Sequence, residues 1–131
     1  MQVFILSAKH KEFAIGLDDG EAEHGKKAEL KEVADKPTLK WLMYDRKIHT
    51  FPKRTLALEP KEDDGKVKLV LQDSDKIENK FYVYPDGSIR NKAGQAIDIE
   101  DSKFEPGADI VLKPYEAGKE SQQWLLVTRL Q

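Results

Sequence analysis

A short aromatic pattern occurs three times in the chain, and it is the feature that most constrains the fold. Each copy has two leading residues, an aromatic anchor and three apolar or aromatic residues: 39–44, 79–84 and 122–127. The anchors are Trp41, Phe81 and Trp124, so 40 residues separate the first two and 43 separate the last two. A repeat period in this range indicates an internally repeated architecture.

Short runs of alternating or apolar residues fill the rest of each repeat, four runs to a repeat. Turn formers such as Asp18-Asp19-Gly20 and Pro85-Asp86-Gly87 separate many of them. The predicted strands are 2–6, 12–17, 27–33, 39–44, 47–50, 55–59, 66–72, 79–84, 87–90, 95–99, 109–113 and 123–128. Many short strands with regular turn signals predict an all-β sandwich or barrel.

A helix over 21–36 is the main competing interpretation. This stretch is rich in Ala, Glu and Lys, and local propensity alone favours a helix. However, Gly25 interrupts it, its apolar residues form only a weak helical stripe, and the equivalent stretches of the other two repeats look like strands. The repeat therefore predicts a β-hairpin arm within 21–36.

The repeats align beyond their aromatic anchors. An early strand (13–17, 55–58 or 95–99) is followed about nine residues later by Gly25, Gly65 or Gly107, then by an apolar strand and the aromatic pattern. Three such units cannot each bury a core, so we expect them to close around a three-fold axis in one domain, which also removes sheet edges. The expected repeats are approximately 1–45, 46–86 and 87–131.

Three repeats of four strands, with Gln122-x-Trp124 near the end of the last, resemble the ricin-B-type lectin family. The resemblance covers the whole chain, and the third repeat matches best, over 94–99, 107, 111–115 and 121–124. It implies a β-trefoil, that is, twelve strands in three pseudo-three-fold repeats. It also implies that the protein is a lectin, which binds glycans of the galactose or N-acetylgalactosamine type.

The family's binding pattern transfers to the third repeat only. There, Asp98 stands at the position of the aspartate that accepts bonds from sugar hydroxyls, and Gln122 at that of the glutamine. Ser121 replaces the usual asparagine, and Lys113 stands where an aromatic residue is common, with Tyr115 two residues further on. An ionised carboxylate makes strong charge-assisted hydrogen bonds, and a ring suits the apolar face of a sugar.

The first two repeats have lost this pattern. The aspartate and glutamine positions hold Gly16 and Leu39 in the first repeat, and Ala57 and Asn79 in the second. We therefore expect one shallow, solvent-exposed site, in which replacing Asp98 would leave the fold intact. The degenerate repeats keep a second interpretation open, namely a β-trefoil that has lost sugar binding and binds a protein through its loops, as inhibitor and cytoskeletal trefoils do.

Composition narrows the remaining classes of function. A net charge of −2 gives no field that would attract nucleic acid, and no apolar run could insert into a membrane. The chain has no cysteine, its three histidines lack metal-ligand spacing, and no nucleophile or phosphate-loop motif occurs. We expect no enzyme, no cofactor and no metal. Glycans are the expected partners, with a homodimer or a protein partner left open.

The sequence has no recognisable signal peptide, because the apolar N-terminal stretch 1–6 is too short. Together with the absence of cysteine, this predicts a cytoplasmic protein, although leaderless secretion remains compatible with the same residues.

Overall fold

Twelve β-strands and five short 3-10 turns make up the computed structural model, which describes residues 1–131. The strands are β1 (Gln2–Ser7), β2 (Phe13–Gly16), β3 (Glu29–Glu32), β4 (Trp41–Tyr44), β5 (Lys47–Thr50), β6 (Leu56–Asp63), β7 (Lys66–Asp73), β8 (Tyr82–Val83), β9 (Ile89–Arg90), β10 (Gln95–Ile99), β11 (Ile110–Pro114) and β12 (Trp124–Val127). Each predicted strand is present, so the all-β prediction and the count of four strands per repeat are confirmed.

Six strands form a closed barrel. β1 pairs with β4 and with β12, β4 pairs with β5, and β8 pairs with β9, all antiparallel. Backbone bonds complete the circle: Phe81 N–H donates to the Arg46 carbonyl at 2.8 Å, and Trp124 N–H donates to the Gly87 carbonyl at 2.8 Å. Closure removes the exposed edges that an open sheet of this size would present.

The other six strands form three hairpins, β2–β3, β6–β7 and β10–β11, which cap one end of the barrel. The hairpins bond to one another around the pseudo-three-fold axis. Ala28 N–H donates to the Leu69 carbonyl at 2.9 Å, and Leu30 N–H donates to the Ala108 carbonyl at 2.9 Å. Val111 of β11 pairs with Lys68 of β7 and completes the ring.

The ambiguous stretch 21–36 contains a strand and no helix. β3 pairs along its whole length with β2, from Gly16 opposite Glu29 to Phe13 opposite Glu32. Gly25 has a φ of +88°, a left-handed conformation that ends any helical continuation and that glycine adopts without strain. Pairing within the repeat therefore outweighs local helix propensity, as predicted.

The core lies on the axis between barrel and cap, where the three anchors are buried. Trp41, Phe81 and Trp124 are 0%, 3% and 3% exposed. The two indole N–H groups make equivalent bonds: Trp41 donates to the Ile15 carbonyl at 2.9 Å, and Trp124 to the Ile97 carbonyl at 3.0 Å. Each tryptophan thus ties its barrel strand to the early strand of its own repeat.

None of the helical turns has the length and hydropathy of a segment that could cross a bilayer.

Candidate functional site

Asp98 is the fourth of the five residues of β10, between two core isoleucines, with its side chain on the opposite face of the strand. Its side chain is fully buried. Oδ1 accepts a 2.7 Å bond from the backbone N–H of Ile99. Oδ2 accepts a 3.2 Å bond from Nε2 of Gln122 and lies 3.0 Å from Nζ of Lys119. The carboxylate therefore has three donors within the protein.

Gln122 closes the 3-10 turn Glu120–Gln122 just before β12, and it is also buried. Besides Asp98, its Nε2 donates to the Pro114 carbonyl at 3.0 Å, and its Oε1 accepts from the Glu116 N–H at 2.9 Å. The glutamine thus fastens both ends of the loop after β11 to β10. The family pattern predicts that Asp98 and Gln122 share one site, and the structure brings them together.

Lys119 is the member of this cluster that sequence analysis missed. Its ammonium bridges two carboxylates, Asp98 at 3.0 Å and Glu116 at 3.2 Å, while 28% of its side chain remains exposed. The hydrogen bond to Asp98 raises the pKa of Lys119 above its usual 10.5. No period or motif marks this lysine; only its place in the loop before Gln-x-Trp hints at it.

Ser121 and Lys113 make their contacts with other residues. Ser121 is buried, and its hydroxyl lies 3.3 Å from that of Ser102. Nζ of Lys113 lies 3.2 Å from Oε1 of Glu100, a buried glutamate whose Oε2 has no partner within the protein.

Tyr115 is held in a stack beside the β8–β9 turn. Its hydroxyl donates to the Asp86 carboxylate, and the guanidinium of Arg90 lies 3.6 Å from its ring centre and 3.9 Å from that of Tyr84. The Tyr115 hydroxyl and the Ser88 donors hold the pKa of Asp86 far below its usual range. Tyr115 would have to leave this stack to cover a ligand at Asp98.

The corresponding positions of the other repeats offer no carboxylate. A Cβ added at Gly16 would lie 3.0 Å from both Cγ and Cδ1 of Leu39, so the first repeat has no room for an acidic side chain. In the second repeat Ala57 is fully buried, and Nδ2 of Asn79 is buried without a hydrogen-bond partner. The third repeat alone keeps the acid and amide pair.

The expected exposure of Asp98 is wrong. The family pattern predicts a surface carboxylate in a shallow, open pocket, but none of the Asp98 side chain is exposed. The cause is the loop between β11 and β12, which Gln122 and Lys119 draw over β10. The five main surface cavities, of about 220–360 Å³, are lined by neither Asp98 nor Gln122. Among the groups bound to this carboxylate, Lys119 is the one with a partly exposed side chain.

The structure holds no cluster of three histidine, cysteine or acidic side chains arranged to bind a metal ion.

Comparison by sequence gives no relative, because neither a family model nor a curated protein matches the chain. Comparison by structure does. The C-half of the earthworm R-type lectin, solved in complex with GalNAc, matches with a TM-score of 0.80 at 16% identity, over 95% of this chain and 96% of that one. The designed three-fold symmetric protein ThreeFoil matches with a TM-score of 0.75 at 17% identity, over 96% and 97%.

A mosquitocidal holotoxin matches with a TM-score of 0.79 at 19% identity. The match covers 99% of this chain but only 17% of the holotoxin, so nothing about the whole toxin's activity follows from it. At such identities a structural match shows the fold and not the function. The chain is a β-trefoil of twelve strands in three repeats, and it shares that fold with the R-type lectins.

Proposed function

We propose that the protein is a carbohydrate-binding lectin that binds a sugar of the galactose or N-acetylgalactosamine type in its third repeat. One observation carries the proposal: the Asp98 carboxylate is held by the Gln122 amide at 3.2 Å, in the only repeat that keeps both groups. The sugar class rests on the resemblance to ricin-B-type lectins and on the GalNAc complex of the earthworm protein with the same fold.

The chemistry of this pair suits a sugar. Asp98 accepts hydrogen bonds from adjacent hydroxyls, which are stronger for an ionised acceptor than for a neutral one. Gln122 keeps the carboxylate in place, since its own three bonds fix the amide to Pro114 and Glu116 as well. Lys113, Ser121 and Tyr115 belong to the proposed site through the family pattern. To contact the sugar, Lys113 would have to leave Glu100 and Tyr115 would have to leave Arg90.

A single sugar should bind weakly. Every hydrogen bond to the ligand replaces one to water or to the protein, so its net contribution is small. We expect a Kd of about 1 mM, which corresponds to about −4 kcal/mol.

Titration of galactose and N-acetylgalactosamine into ¹⁵N-labelled protein tests the proposal. Amide shifts should concentrate in 96–99 and 113–123, glucose should produce smaller ones, and Asp98→Asn should abolish them. Asp75→Asn, an exposed aspartate of the second repeat, is the matched control and should bind as the parent does. The absence of shifts up to about 50 mM sugar, roughly fifty times the expected Kd, would overturn the proposal. Shifts confined to the first two repeats would do the same.

Protein binding is the second candidate function, and three exposed apolar or aromatic side chains favour it. Val83, Tyr84 and Leu125 are 51%, 37% and 39% exposed on β8, the turn after it and β12. Arg90 stacks on Tyr84 at 3.9 Å, and tyrosine with arginine is the composition of interface hot spots. A protein that fails the sugar titration but binds a protein ligand, with loss on Tyr84→Ala, would fit this candidate.

A further inference from the structure

Lys119 bridges a buried and an exposed carboxylate. Its ammonium lies 3.0 Å from Oδ2 of Asp98, which is 0% exposed, and 3.2 Å from Oε2 of Glu116, whose side chain is 64% exposed. The lysine itself is 28% exposed. If the ammonium moves off Asp98, the exposed Glu116 is therefore the partner that remains available to it.

The acceptor capacity of Asp98 leaves little room for a ligand. An ionised carboxylate offers about four lone-pair sites, and three of those of Asp98 already face donors. The Ile99 donor is backbone within β10, and the Gln122 amide is fixed by two further bonds. Lys119 is the only one of the three donors on a flexible, partly exposed side chain. The remaining lone pair, on Oδ1, belongs to a side chain with no solvent exposure, so the acceptor position that a ligand can gain most readily is the one that Lys119 occupies.

From these contacts we infer that Lys119 is the gate of the site: it covers Asp98 in the free protein and moves onto Glu116 when sugar hydroxyls take its place. The inference rests on the proposed function. Its ligand is a neutral sugar with adjacent hydroxyls, which competes with the ammonium for the same oxygen. Sugar binding then has to break the Lys119–Asp98 ion pair, and the free energy of that pair lowers the affinity for sugar.

Variants of Lys119 and of its outer partner Glu116, titrated with galactose, test this inference. Lys119→Met keeps the length of the side chain and removes its charge, so galactose should bind about fivefold more tightly, the factor that corresponds to a partly exposed ion pair. Glu116→Gln removes the outer partner and should weaken binding, because Lys119 then has only Asp98. Lys76→Met is the matched control, since Lys76 is an exposed lysine that pairs with Asp73 in the second repeat, and its affinity should be unchanged.

Salt dependence provides a second measurement, made on the parent protein and compared with Lys119→Met. Salt screens a partly exposed ion pair, with a Debye length of about 30 Å at 0.01 M and about 3 Å at 1 M. Raising NaCl over that range should strengthen galactose binding to the parent protein about twofold. Lys119→Met should show no such change.

The outcomes separate the gate from the site. Equal affinity of the parent and Lys119→Met, with loss on Asp98→Asn, would overturn the gate and leave the sugar site standing. Weaker binding by Lys119→Met would also overturn the gate, because the ammonium would then be a donor to the sugar. An absence of binding in every protein would overturn both the site and its gate.

Discussion

The ammonium of Lys119 lies 3.0 Å from Oδ2 of Asp98, and the aspartate side chain has no solvent exposure. Gln122 and the Ile99 N–H bind the same carboxylate. This arrangement makes Asp98 part of the folded framework as well as a candidate ligand, because the loop between β11 and β12 is attached to β10 through it. The two roles lead to different measurements.

Asp98→Ala should destabilise the protein by about 1–3 kcal/mol, since it leaves the Ile99 N–H without its acceptor in a buried place. The cost stays in this range because Gln122 keeps the Pro114 carbonyl and Lys119 keeps Glu116. Urea unfolding measures the change. Asp75→Ala, at an exposed site, should stay within about 0.5 kcal/mol of the parent. A parent-like midpoint for Asp98→Ala would show that its bonds contribute nothing to stability.

Trp124→Ala should cost about 3–5 kcal/mol, the usual range for a large aromatic residue removed from a core. Trp124→Phe should cost about 1–3 kcal/mol through loss of the indole bond, because the Ile97 carbonyl then lacks its donor. The second repeat has Phe81 at this position and needs no such bond. Denaturant midpoints check both values, and Val83→Ala, half-exposed on β8, serves as the control. An unchanged midpoint for Trp124→Ala would contradict its place in the core.

Gly16→Ala should destabilise by about 1–3 kcal/mol, because the new Cβ would lie 3.0 Å from Leu39 and from the stem of Lys31. Leu39 is buried and cannot move away freely. The double variant Gly16→Ala/Leu39→Ala should cost less than the sum of the two single variants, since the smaller side chain relieves the clash. Additive costs in urea would show that the two positions do not collide.

The fold was predictable from the sequence because its determinants repeat along the chain. The period placed Trp41, Phe81 and Trp124 in one core, and the pairing of β2 with β3 followed from the equivalent hairpins despite the helix-forming composition of 21–36. Those features are fixed by hydrophobic pattern and turn chemistry, which a sequence displays directly.

The site was predictable only where its residues lie on repeated elements of the fold. Asp98 and Gln122 lie on a strand and a 3-10 turn whose positions the repeat fixes, and they meet as expected. The burial of Asp98 depends instead on how one loop folds back, and the partner of Lys119 depends on a side-chain rotamer in that loop. Likewise, Tyr115 joins Arg90 because of a turn that belongs to the preceding strand pair. Such contacts do not recur from repeat to repeat, so the repeat pattern cannot predict them.

The stability of the protein should fall in acid, over a pH range set by the titration of Asp86. The Tyr115 hydroxyl, then the Ser88 hydroxyl and N–H, hold the pKa of this carboxyl well below its ordinary value of 3.8. Because the pKa of Asp86 is lower in the folded protein than in the unfolded chain, the ionised carboxylate stabilises the fold. This contribution is fully present above pH 3.8 and is lost as the pH falls towards the pKa of Asp86 in the folded protein. The melting temperature of the parent should fall between pH 7 and pH 2, and that of Asp86→Asn should fall less. The melting temperature of the control Asp75→Asn should fall as much as that of the parent.

Agglutination should depend on how many copies of the third repeat are joined, since only that repeat keeps the Asp98–Gln122 pair. A monomer with one site of about 1 mM affinity cannot cross-link cells, whatever its sugar specificity. Two copies of the chain joined by a flexible linker should bind a galactose-bearing surface about 10²-fold or more tightly than one copy. The matched control joins one parent copy to one Asp98→Asn copy, so that this tandem protein has the same size but one working site. Surface binding and red-cell agglutination measure the difference.

Equal avidity of the two tandem proteins would mean that the first or second repeat also binds sugar. Strong agglutination by the unlinked parent would mean that the chain associates into dimers in solution.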